Sequence, residues 1–122
     1  MWKEYNSNPV GRSVGDCAIR ALTIALYVDW ETAYAMAASA GFSMGDMPSS
    51  DSVWGAVLRQ HGFYREACKD CGTAEEFARD HIDGVYVLAF GGHVAALRNG
   101  VIYDTWDCSN EVPIYYWYKK GV

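Results

Sequence analysis

No stretch of the sequence reaches the ~18 uninterrupted apolar residues that a bilayer span requires. The N-terminal segment "MWKEYNSNPVGRS" also lacks the apolar run that follows the basic residues of a secretory signal. The chain is therefore expected in the cytoplasm, with no membrane partner. Basic residues are few and scattered: ten Lys and Arg face fifteen Asp and Glu, for a net charge of -5. Binding a phosphate backbone takes clustered Lys and Arg, so nucleic acid is not an expected partner. Internal repeats, low-complexity tracts and linkers are missing too, which leaves one domain over residues 1–122. What is present is apolar and aromatic: 51% hydrophobic residues, five Trp and nine Tyr, the composition of a folded globular chain.

The first fifteen residues, punctuated by Gly, Asn and Pro, read as an extended arm. From Asp16 to about Tyr27 the run "DCAIRALTIALY" is apolar around most of a helical circumference. Only Arg20 and Thr23 interrupt it, three apart and so on one face. Such a helix is expected at the centre of the molecule. Asp29 caps a second helix, "WETAYAMAASA", closed by Gly41. Asp51 or a neighbouring serine opens a third, ending near Gly62, and Thr73 with Glu76 forms a capping box for a short fourth. After Gly84 the runs "VYVLAF", "HVAALR", "VIYDTW" and "VPIYYWYK" are β-branched and aromatic, separated by turn residues. The expected class is α+β: N-terminal helices, one of them central and buried, on a C-terminal antiparallel sheet.

Asn99-Gly100 is a strong signal for a two-residue hairpin turn. Counting outward, Arg98 faces Val101, Ala95 faces Asp104 and His93 faces Trp106. By alternation, His93, Ala95 and Leu97 share a face with Ile102, Asp104 and Trp106. Asp104 is then the diagonal cross-strand neighbour of His93. Cys17 sits at the mouth of the apolar helix, where unpaired N–H groups and the positive end of the dipole favour a thiolate. An imidazole beside the sulfur and a carboxylate behind the imidazole complete a nucleophile, base and orienting group. The Cys17 N–H can also donate into an oxyanion hole. Asp16 opposes a thiolate by charge; as an N-cap, its side chain is expected to turn toward backbone N–H groups instead.

A cysteine opening a buried helix, followed by a sheet bearing His and then Asp104-Thr105-Trp106, resembles the papain-like cysteine peptidases and their Asn-Ser-Trp element. An Asp as third member is similar to the bacteriocin-leader peptidases attached to export transporters. The "GDC…RAL" and "GHV…YDTWD" motifs resemble small papain-like proteins of phages and prophages. The resemblance implies a papain-like fold and hydrolysis of an amide or isopeptide bond in a protein or peptide through a thioester acyl-enzyme. It assigns Cys17 as nucleophile, His93 as base then acid, Asp104 as orienting group and Trp106 as a shield, with no cofactor or metal. The family's oxyanion Gln lies six residues before the cysteine, where this chain has Gly11. Asn8 is the chosen substitute, ahead of Asn6 and Ser13.

Each residue also has a plainer reading. A lone cysteine is commonly a small buried hydrophobe, a strand histidine is commonly a satisfied one, and Trp106 alone would be core. "CKDC" at 68 to 71 is half of a zinc site, with His61 and His81 ten residues to either side. The second closely spaced ligand pair is missing, so two loop cysteines, or a pair that oxidises, is the leading reading. Cys108 has no partner by spacing and reads as structural. Two other functions fit the same chain: a deamidase, amidase or transglutaminase-like enzyme using the same three residues, and an inactive papain-like binding module.

Overall fold

The computed structural model describes residues 1–119. Its elements run β1 (Trp2–Glu4), α1 (Cys17–Leu26), α2 (Trp30–Met44), α3 (Asp51–Gln60), β2 (Phe63–Ala67), α4 (Ala74–Asp80), β3 (Val85–Phe90), β4 (His93–Arg98), β5 (Val101–Asp104) and β6 (Tyr115–Lys119). The class is α+β, as the sequence suggests. The sheet is mixed and six-stranded, in the order β1-β5-β4-β3-β6-β2.

Strands β3, β4 and β5 form the expected antiparallel meander, but the sheet does not end there. The N-terminal arm supplies β1, which pairs in parallel with β5 through Trp2 and Ile102. With that edge taken, the last strand returns to the far side of β3 and pairs antiparallel there. Strand β2 then closes on β6. No alternating pattern marks β2 in the sequence, since "FYREA" buries only Phe63.

The central strands are apolar on both faces because both are covered. Val87, Ala89, Val94 and Ala96 point into a core shared with α1, α2 and α3. Leu88, Ala95, Leu97 and Ile102 point the other way, against Phe77 and Ala78 of α4. Helix α1 is central, as its apolar circumference requires: Ala18, Ile19, Ala21, Leu22 and Ala25 are all buried, and so are Arg20 and Thr23.

The helix boundaries follow expectation except at the end of α2, and the Asp16 side chain differs in its role. Helix α2 is capped by Asp29, which accepts from the Thr32 N–H, but it runs through Gly41 and stops at Gly45. Gly41 is needed for space rather than termination, since a Cβ there would lie 2.6 Å from the Asp46 carbonyl oxygen. Ser50 holds the N-cap position of α3. Asp16 holds that of α1, but its side chain makes no capping hydrogen bond. The Thr73–Glu76 capping box forms as expected.

Candidate active site

The hairpin has the counted register. Asn99 and Gly100 both take positive φ, at 50° and 80°, and Arg98, Leu97 and Ala96 pair with Val101, Ile102 and Tyr103. His93 therefore begins β4 and Asp104 ends β5 at the same end of the sheet. His93 Nε2 lies 2.5 Å from Asp104 Oδ2. Cys17, the first residue of α1, is half-buried and lies on the same cleft as His93, close enough for the imidazole to act on its thiol. The three residues singled out in the sequence thus form one connected chain.

Asp104 is fully buried, and a carboxylate there must be satisfied on every side. Oδ2 faces His93, while Oδ1 accepts from the Thr105 N–H at 2.8 Å and from Arg20 Nη2 at 3.3 Å. The buried Cys108 thiol also lies against the Asp104–His93 pair, its sulfur within 4.8 Å of their polar atoms. Arg20 is paired on its other side with Asp16, whose Oδ2 accepts from Trp30 Nε1 at 2.8 Å. These two partners explain why Asp16 does not cap α1. They also leave the N–H groups of its first turn without a side-chain acceptor.

The electrostatics follow from these contacts. Burial would raise the Cys17 thiol, but hydrogen bonds from His93 and the Val94 backbone, with the charges of His93 and Arg20, hold it below the usual thiol range. Burial likewise disfavours a charged His93, yet its bonds to Asp104, Cys108 and Cys17 and the Asp104 charge push it up to about 11. Asp104 is held down, its burial outweighed chiefly by the His93 hydrogen bond and charge. Cys108 is pushed up by burial and stays a thiol. Both shifts run toward the charged forms, a Cys17 thiolate beside a His93 imidazolium.

Trp106 lies where a cover would: its ring is 4.8 Å from the imidazole and remains 45% exposed. Cys17 and His93 open onto a cleft of about 480 Å³, walled by Trp30, Tyr34, Met47 and Phe90 among others. Asn8 is not among the residues that line it. Its side-chain oxygen accepts from the Val10 and Arg12 N–H groups and so shapes the N-terminal loop. Gly11 adopts φ of +66°, a conformation that favours glycine over glutamine.

Sequence reading missed Arg20 as a member of the site, along with Asp16, Trp30 and Cys108. For Arg20 a signal existed: a guanidinium in an otherwise apolar central helix must find buried anions. For Cys108 no spacing rule would have served.

Two groupings bear on metals. Ligand atoms of His93, Asp104 and Cys108 lie within 4.8 Å of one another. The direct His93–Asp104 hydrogen bond and the Arg20 cation on Asp104 suit a proton-sharing cluster better than a metal cage. Cys68 and Cys71 are joined in a disulfide, so they offer no thiolates in this state. His61 and His81 each direct Nδ1 to a helix carbonyl, that of Val57 and of Phe77.

Compared with family models, curated proteins and solved structures, the chain matches none. Among the described residues no helix is long and apolar enough to cross a membrane.

Proposed function

We propose that the protein is a papain-like cysteine hydrolase acting in the cytoplasm on amide or isopeptide bonds of proteins or peptides. The observation that carries this reading is the connected order Cys17, His93, Asp104, with the sulfur open to a cleft large enough for substrate side chains. The Cys17 thiolate attacks the carbonyl carbon, forming an S–C bond and an oxyanion. First-turn N–H groups of α1, that of Cys17 among them, are the donors for that oxyanion, and they stand in for the missing glutamine. Collapse of the intermediate expels the amine, which takes its proton from the His93 imidazolium. Neutral His93 then removes a proton from water, the hydroxide oxygen attacks the thioester, and the acid departs as thiolate and imidazolium are restored. Asp104 holds the ring with Nε2 toward itself, so that Nδ1 is the atom left to serve the sulfur.

The test is to incubate the protein with a pool of peptides at neutral pH and identify new termini, with Cys17→Ala as control. Wild type is expected to give cleavage that Cys17→Ala lacks, and His93→Ala to slow it by roughly 100- to 10,000-fold. Identical product profiles for wild type and Cys17→Ala would sink the reading. Ammonia release from glutamines without new termini would turn the same chemistry from proteolysis to deamidation.

A further inference from the structure

We infer that Arg20 is a positioning residue of this site: buried between Asp16 and Asp104, its guanidinium fixes the Asp104 carboxylate so that Oδ2 is presented to His93. The inference rests on the hydrolase reading only in taking Cys17 as the reacting group.

Arg20 is 6% exposed and lies in a helix whose other buried residues are apolar, Thr23 excepted. Burying a guanidinium is costly, and a well-packed apolar side chain would commonly serve stability as well or better. The contacts indicate what the charge does instead. Nη1 pairs with Asp16 Oδ1 and Nη2 with Asp104 Oδ1, so one planar fork spans both carboxylates. Arg20 and the Thr105 N–H together occupy Oδ1 of Asp104, and Oδ2 is left for the imidazole. Asp16 is tied in turn to Trp30, which lines the cleft and stacks on Tyr34 at 5.1 Å. A continuous polar path therefore runs from the cleft wall through Asp16 and Arg20 to the His93–Asp104 pair.

Counting charges shows what removing Arg20 does. With the thiolate formed, Asp16, Asp104 and Cys17 carry three negative charges, and Arg20 and His93 carry two positive ones. Cys108 remains a neutral thiol, and Glu4, beside Asp104 on β1, is exposed. Without Arg20, three anions share one imidazolium, and the cluster holds a proton to higher pH. The first charge to be neutralised is on Cys17 or on a carboxylate that supports it.

The experiment measures alkylation of Cys17 by iodoacetamide against pH, mapped by mass spectrometry, in wild type, Arg20→Met, Arg20→Lys and Trp30→Phe. The acid limb of Arg20→Met is expected to move up by about one pH unit, which lowers the rate at a fixed pH on that limb about tenfold. Arg20→Lys keeps the charge but not the fork, and shifts less. Trp30→Phe takes the indole N–H from Asp16 and trims the cleft wall; its limb shifts least, in the same direction, whatever the change in plateau rate. Should Arg20→Met fail to fold, the other two variants carry the test. A folded Arg20→Met or Arg20→Lys protein whose limb superimposes on wild type overturns the inference and leaves the hydrolase reading intact. Shifted limbs in a protein that cleaves no amide support Arg20 and sink the hydrolase reading alone.

Discussion

Two opposing forces act on the Cys17 sulfur. Desolvation favours the neutral thiol, while His93, the Val94 N–H and Arg20 favour the anion, and the anion wins. His93 shows the same contest with the sign reversed. Its folded value is raised from 6.5 to about 11, so the stability it contributes is complete below pH 6.5 and is lost as pH climbs toward 11. Cys17, depressed from 9.0, contributes above pH 9.0 and loses that contribution as pH falls through its folded value. Where both are charged in the native state and neutral in the unfolded chain, the two slopes oppose one another. Removing the thiol exposes the histidine alone. Thermal unfolding of Cys17→Ser is therefore expected to show a midpoint that falls as pH rises from 6.5 to 9.0. Adding His93→Gln should flatten that curve, and a Cys17→Ser curve already flat over this window would contradict the assignment.

Among the elements, the β4–β5 hairpin was the most legible in the sequence and α2 among the least, for different physical reasons. Asn99 and Gly100 tolerate positive φ, so the turn type and register follow from local chemistry, and the His93–Asp104 contact follows from the register. Gly41 looked like a stop signal because glycine often ends helices. Here the backbone at 46 to 48 folds back against it, a tertiary reason that no local pattern reveals. That segment carries Met47, Pro48 and Ser49 into the cleft wall, so the glycine supports the site from a distance. Gly41→Ala is expected to cost ~1–3 kcal/mol in urea unfolding, as overpacking does. That is opposite in sign to the gain usually found for this change in a helix interior. An unchanged or increased stability would show that the contact is not tight.

For the whole molecule, helices on both faces and strands with apolar residues on both sides follow from the composition of "VYVLAF" and "HVAALR". The strand order does not, because it depends on the N-terminal arm capturing the β5 edge, a pairing of residues about a hundred positions apart. The site lies where these layers meet: the start of α1, the start of β4 and the end of β5 converge there. The convergence of Cys17, His93 and Asp104 was legible because each stands at the end of an element: Gly15-Asp16 precede Cys17, Gly91-Gly92 precede His93, and the Asn99-Gly100 turn sets the register of Asp104. In the Asp16–Arg20–Trp30 support only the Asp16–Arg20 pair is local, four residues apart at the start of α1. Trp30 reaches Asp16 only after α1 and α2 pack, and Arg20 reaches Asp104 only once α1 lies on the sheet. The most direct measurement of the central claim is the ultraviolet thiolate absorbance of wild type minus Cys17→Ser, titrated from acid to alkaline pH. The account predicts a thiolate signal that titrates below the ~8.5 of a free cysteine. A signal that appears only around that ordinary value would contradict it.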